Sequence, residues 1–206
     1  MTEIILPPLD GHAALILIDM QKGFDQPYWG KRSNPQLEQN VCRLLAAFRA
    51  AALPVVHVRH DSLESLSPLR PGQEGNDFKD EVRPLPGEHL EVKSVNSAFI
   101  GTGLEAFLRT RQITTLILVG LTSDHCVSTT TRMAANLGFE AILPEDCLAT
   151  FNRTGVDGRP WSAEEIHDSS MASLNGEFAR VVKSAQVIDA IHVAKAPTTG
   201  SQAASI

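Results

Sequence analysis

The chain has 206 residues, 43% of them hydrophobic, and a formal net charge of −6 at pH 7. That length suits one α/β domain with a sizeable core, and the hydrophobic content excludes global disorder. The acidic balance, without a block of like charge, argues against a nucleic-acid or anionic-membrane surface, and no apolar run approaches the length that spans a bilayer.

Three widely spaced cysteines, Cys42, Cys126 and Cys147, form no CxxC pair. They support neither a zinc ribbon nor a dithiol redox motif, and they suit a reduced, cytoplasmic protein. The opening residues, Met1 to Pro8, are acidic and broken by prolines, unlike a signal peptide. Ala13 to Ile18 is a continuous apolar run, as expected of a strand covered on both faces. Asn34 and Pro35 predict a helix start, the first as cap and the second at the first helical position. Leu37, Val41, Leu44, Leu45 and Phe48 share one face of that helix, and Val55 to Val58 reads as the second strand. From about Asp61 to Leu90, prolines and glycines predict a long irregular stretch of the kind that carries function or forms a lid. Within it, Ser67 to Gly72 is a candidate to close over a site.

Leu90 to Lys93 is a short third strand. Thr102 and Glu105 have capping-box spacing and predict a helix to about Arg111. Ile113 to Val119 is the fourth strand, a polar turn and an amphipathic helix from Cys126 follow, and Phe139 to Leu143 is the fifth. Ser162 and Glu165 form a second capping box that opens a helix through Leu174, with Gly176 ending it. Phe178 to Val182 is the last strand and Ala185 to Ile191 the last helix. One domain is expected over residues 1–193, followed by a small polar tail, 194–206.

This alternation predicts a doubly wound, mostly parallel six-stranded sheet with helices on both faces, a three-layer α/β sandwich. Such sheets bind ligands beyond the carboxyl ends of their strands. Three chemically useful residues lie at those ends: Asp19 after the first strand, Lys93 at the end of the third, and Cys126 past the fourth. A cysteine in the first turn of a helix meets free backbone N–H groups and the positive end of the helix dipole, which favour thiolate. Asp19 would take up a proton, and Lys93 would set the charge balance of both. Taken singly, each has a bland reading: a capping or solvated aspartate, a solvated lysine, a small buried thiol. The bland readings fail only if all three sit together.

Asp19-Met20-Gln21 with Phe24, then Lys93 with Ser97-Ala98-Phe99 and Gly101-Thr102, then Gly120-Leu121-Thr122 with His125-Cys126-Val127, resemble in order and separation the isochorismatase-like cysteine hydrolase superfamily, over roughly residues 10–190. The resemblance implies an Asp19, Lys93, Cys126 triad, with Asp19 as acid and base, Lys93 orienting and neutralising, and Cys126 as nucleophile. It also implies a cis peptide at Leu121–Thr122 and an oxyanion hole there, served by the N–H groups of Thr122 and Cys126. Nicotinamidases of this family carry a metal on an Asp-x-His motif and a further histidine. Here His57, His60 and Asp61 match neither the spacing nor the third ligand, so no metal and no cofactor is expected. Isochorismatase proper lacks the nucleophilic cysteine, so Cys126 points to C–N rather than vinyl-ether cleavage.

By position, Phe24, Trp29, His60, Asn96 and His125 are candidate pocket residues, and His57 reads as a buried strand histidine. Phe99 and Trp161 either approach the substrate or pack under loops, Arg70 either meets an anion or stays solvated, and Cys147 lies at the same edge without catalytic partners. The expected activity is hydrolysis of a small amide, ureide or carbamoyl compound through an acyl-enzyme on Cys126. The expected partner is that small molecule, with no nucleic acid and no membrane, in a homo-oligomer (dimer or tetramer) that uses the helix from Ser162 and the tail. Isochorismatase-type ether hydrolysis, a non-catalytic binding role and a redox-sensing thiol remain as alternatives.

Overall fold

A computed structural model describes residues 5–195. Six parallel strands run through the sheet: β1 (Ala13–Ile18), β2 (Val55–His60), β3 (His89–Lys93), β4 (Thr115–Leu121), β5 (Glu140–Pro144) and, last in sequence, a strand Arg180–Val182. Between them in sequence come three two-residue strands, β6 (Leu148–Ala149), β7 (Arg153–Thr154) and β8 (Pro160–Trp161), which makes Arg180–Val182 β9. The order across the sheet is β3-β2-β1-β4-β5-β9, with β6 pairing β4 beyond the point where β5 leaves it. β7 and β8 form a separate antiparallel pair. The expected six-strand doubly wound sheet is therefore present, with β6 as an addition too short to read from periodicity.

Five helices cover the sheet: α1 (Leu37–Ala50), α2 (Leu104–Thr110), α3 (Cys126–Asn136), α4 (Ala163–Leu174) and α5 (Ser184–Lys195). The strand residues alternate between two cores. Leu15, Leu17, Ile117 and Val119 pack with Leu44, Phe48 and Val187 from α1 and α5. Ile16, Ile18, Leu116 and Leu118 pack with Leu108, Val127 and Leu174 from α2, α3 and α4. Burial on both faces is why β1 and β4 are apolar throughout rather than alternating.

The helix starts divide. Ser162 accepts a hydrogen bond from the Glu165 N–H while Glu165 returns one to the Ser162 N–H, so the second capping box forms as expected. The other two expectations are corrected. Asn34 does not cap α1, which begins at Leu37; it sits at φ +45° and its side-chain amide donates to the carbonyls of Glu145 and Leu148. Thr102 and Glu105 form no box: Thr102 donates to the Ala98 carbonyl, and Glu91 of β3 accepts from the Gly103 N–H. Asn34 is captured by a segment more than a hundred residues away, whereas Thr102 turns back to a carbonyl four residues upstream and the Gly103 N–H goes to β3. α5 runs to Lys195, past the expected last helical residue and two residues into the expected tail, whose remaining residues, 196–206, lie outside the described residues.

Strand order reverses between β1 and β4, where one crossover runs toward β2 and the next toward β5. The carboxyl ends of these neighbours diverge there and leave a crevice.

Candidate active site

Asp19 follows the last residue of β1. Its backbone turns into the left-handed region, φ +52°, its N–H donates to the Val58 carbonyl of β2, and its own carbonyl accepts from Gln21. An aspartate there is a conformation held by its surroundings. Lys93 ends β3, two strands away. Adjacent strands lie about 4.8 Å apart, so the gap to β1 is on the order of 10 Å, and the long stem of lysine suits it. Lys93 Nζ donates to Asp19 Oδ2 at 2.7 Å and to Cys126 Sγ at 3.3 Å, and lies 3.1 Å from His60 Nδ1. The Asp19 and Lys93 side chains are fully buried, and Cys126 is 8% exposed. The three residues from distant stretches of chain are thus brought together.

Cys126 opens α3, and its Sγ faces Asn96 Oδ1 at 3.7 Å. Gly120 makes the approach possible. It sits at φ +119°, and a Cβ there would fall 2.0 Å from the Ile18 carbonyl oxygen, so only glycine lets β4 run this close to β1. The Leu121–Thr122 peptide is cis, as the resemblance implied. Beyond it the N–H groups of Ser123, His125 and Val127 are bonded to the Ala149 and Thr122 carbonyls, while those of Thr122, Asp124 and Cys126 take no part in the turn's backbone hydrogen bonds. Leu121 itself is wholly buried in the core.

The electrostatics correct one expectation. Burial, followed by the Asp19 charge, pushes the Cys126 thiol above its usual range, against the opposing pull of Lys93. The direction is opposite to the one expected of a cysteine at a helix start. Burial works against the charge on Lys93, but Asp19 and Cys126 outweigh it and raise its pKa. Burial and then Lys93 lower the pKa of His60, which keeps the ring neutral and its Nδ1 an acceptor. Among the described residues, Asp19, His60 and Cys126 form the single group whose ligand atoms gather closely enough to hold a metal, all within 4.8 Å. The Lys93 ammonium contacts all three, so a metal there would displace or repel a positive charge. His57 is occupied by Glu88 at 2.8 Å and Asp61 by Arg59 and Asn76, so neither joins His60 in a ligand set.

A cavity of about 240 Å³ opens on the sulfur. All five expected pocket residues, Phe24, Trp29, His60, Asn96 and His125, line it, together with Thr122. Phe24 and Trp29 pack at 4.9 Å between centroids and both stack on Phe151, which fixes the aromatic wall. Phe99 packs on Phe139, and Trp161 lies under Arg159; neither lines the cavity. Cys147 is fully buried in the core, and Arg70 donates to the Ser65 carbonyl on the exposed side of its loop.

Ser67 and Leu69, from the segment expected to close over a site, also line the cavity, and sequence reasoning missed Tyr28, Ser62 and Glu64. Ser62, Glu64, Ser67 and Leu69 all come from the long stretch after β2. Sequence reasoning also missed the groups that hold the walls. Gln21 exchanges hydrogen bonds with the His60 backbone and donates to the Asn76 carbonyl. Asn76 donates to the carbonyls of His60 and Leu69 and to Asp61. Asp124 accepts from Thr150 and Arg153, and buried His167 of α4 meets Ser123 Oγ at 3.2 Å, which ties down the turn before Cys126. Their only sequence signal is a polar residue in an otherwise closely packed region.

Residues 13–186 match the isochorismatase domain family. An isochorismatase family protein of Bacillus subtilis, YrdC, is 42% identical over 176 residues, covering 85% of this chain and 94% of the relative. The crystal structure of an isochorismatase-family protein from Chromobacterium violaceum superposes with a TM-score of 0.89 at 47% identity, covering 93% of this chain and all of that one. Streptothricin hydrolase of Streptomyces noursei is 32% identical over 171 residues, 81% of this chain but 57% of that enzyme.

Proposed function

The chain belongs to the isochorismatase family of hydrolases, and on that premise we propose that it cleaves the C–N bond of a small amide, ureide or carbamoyl compound through an acyl-enzyme on Cys126. One observation carries the reading: a single buried ammonium, Lys93 Nζ, touches both the Asp19 carboxylate and the Cys126 sulfur at the floor of a cavity. The 32% identity to streptothricin hydrolase supports the hydrolase class.

A thiol poised this way needs its base at the moment of attack rather than before it. As Sγ closes on the substrate carbonyl carbon, its proton passes to Asp19, and Lys93 offsets the charge on sulfur and carboxylate in turn. The carbonyl oxygen becomes an oxyanion and accepts from the Thr122 and Cys126 N–H groups. The adduct then collapses. Asp19 returns the proton to the leaving nitrogen, the C–N bond breaks, and amine or ammonia departs. A water attacks the thioester, Asp19 takes its proton, and collapse of the second adduct releases the acid and restores the thiol. His60, neutral, holds Lys93 from its third side.

Intact-protein mass spectrometry during turnover of a slow amide tests this. An adduct is expected on wild type, and neither adduct nor turnover on Cys126→Ala. Hydrolysis that survives that substitution overturns the acyl-enzyme and favours ether cleavage without a nucleophile.

A further inference from the structure

The cavity is asymmetric in charge. Its lining includes two carboxylates, Asp19 and Glu64, and no lysine or arginine. Asp19 is neutralised by Lys93, whose ammonium is wholly engaged beneath the floor by Asp19, Cys126 and His60. Glu64 differs. It stands exposed at the mouth on the loop after β2, takes no part in the ion pairs among the described residues, and lies close enough for its charge to be felt at His60. His60 is kept neutral, and His125 already lies 3.3 Å from Asp124 Oδ2. The same lining carries Phe24, Tyr28 and Trp29, with Tyr28 set edge-on to Trp29 at 4.9 Å.

A substrate carboxylate would enter this space with no free cation to receive it and one uncompensated carboxylate to repel it. An ammonium would find a carboxylate and aromatic rings in the same lining, the two surroundings that stabilise a cation as it leaves water. We propose that the site selects amides bearing an ammonium group remote from the scissile bond, with Glu64 as the residue that sets this preference. The inference rests on the amidohydrolase reading for its chemistry, but the pocket's charge selectivity is measurable apart from turnover.

Three para-substituted benzamides of matched shape supply the test: aminomethyl (cation), ethyl (neutral) and carboxylate (anion). Wild-type kcat/KM is expected to fall in that order. Glu64→Gln narrows the cation-to-neutral ratio about fivefold, the scale of one partly exposed ion pair, with the change in KM rather than kcat. Glu64→Lys reverses the order of cation and anion. Ligand-observed NMR on the Cys126→Ala protein repeats the comparison as binding alone. Turnover without charge preference, or a preference that Glu64→Gln and Glu64→Lys leave unchanged, overturns this inference and leaves the hydrolase reading standing. Binding that follows the expected order without turnover of any amide overturns the hydrolase reading and retains the selectivity. Absence of both binding and turnover of the cation overturns the selectivity outright.

Discussion

Lys93 is the residue on which the site's stability and its chemistry meet. Its side chain and that of Asp19 have no exposure, and a buried ion pair is costly to break by halves, about 3–5 kcal/mol, because the survivor is left charged without a partner. Lys93→Met is therefore expected to lower the melting temperature sharply and to abolish turnover. Asp19→Asn combined with Lys93→Met removes both charges and recovers much of the stability, but none of the activity. A double variant no more stable than the single one, in thermal unfolding followed by circular dichroism, would refute the pairing. Gly120 makes a second demand at this scale. With φ at +119° and the Ile18 carbonyl 2.0 Å from any added Cβ, Gly120→Ala must push β4 from β1. The cost is expected to exceed about 3 kcal/mol, beyond ordinary overpacking, and to appear as lost soluble protein or lost activity.

At the scale of elements, the segment after β2 is the part of the site that chain order conceals. Its residues obey no helical or strand period, yet Ser62, Ser67 and Leu69 are buried and line the cavity. What orders them is a set of long-range polar bonds, chiefly Asn76 to the carbonyls of His60 and Leu69, and Gln21 to the His60 backbone. Asn76→Ala removes one of two donors from each of the His60 and Leu69 carbonyls, which keep Gln21 and the Ser62 N–H, at about 0.5–1.5 kcal/mol per lost bond. It touches neither Asp19, Lys93 nor Cys126, so KM for an amide is expected to rise several-fold with kcat nearly kept. A loss confined to kcat in steady-state kinetics would mean the segment does something other than shape the pocket. The same contrast explains what could be read in advance. The strands through β1 and β4 were legible because burial on two faces writes an unbroken apolar run. Asp19, Lys93 and Cys126 were legible because each stands at a strand's carboxyl end. The start of α1 was misread because Asn34 spends its amide on Glu145 and Leu148, partners more than a hundred residues away. Glu64 went unseen because an irregular loop gives no register from which to place a side chain, whereas Tyr28 sits in the 3-10 turn Pro27–Trp29 beside the expected Trp29.

For the molecule as a whole, the buried titrating groups set limits on both sides of neutrality. Burial raises the pKa of Glu88, but the Arg49 guanidinium, the Leu85 N–H and His57 outweigh it and hold the carboxyl at about 2, against an ordinary 4.5. These bonds join α1, β2 and the end of the long loop, so they report on the fold rather than on the site. A folded-state pKa below the unfolded one means the unfolded chain binds more protons in acid. The contribution of Glu88 is then complete above pH 4.5 and disappears as pH falls through about 2. Burial also lowers the pKa of His57, so its share begins to fade lower from 6.5. On the alkaline side Cys126 and Cys147 are held as thiols by burial above their ordinary 9.0, and their contribution is lost as pH rises past that value, where the unfolded chain ionises first. Urea unfolding across pH should therefore trace a plateau between about 6.5 and 9 with a fall on either side. Glu88→Gln should lower that plateau and flatten the acid limb, the two proteins converging near pH 2. An acid limb as steep in the variant as in wild type would show that the bond from Glu88 to Arg49 and His57 does not carry the fold's acid sensitivity. The alkaline limb is an independent check. Cys147→Ala, remote from the cavity, should make it shallower without altering turnover, whereas an unchanged slope would assign that limb to other groups with raised pKa, Cys126 and Lys93 among them.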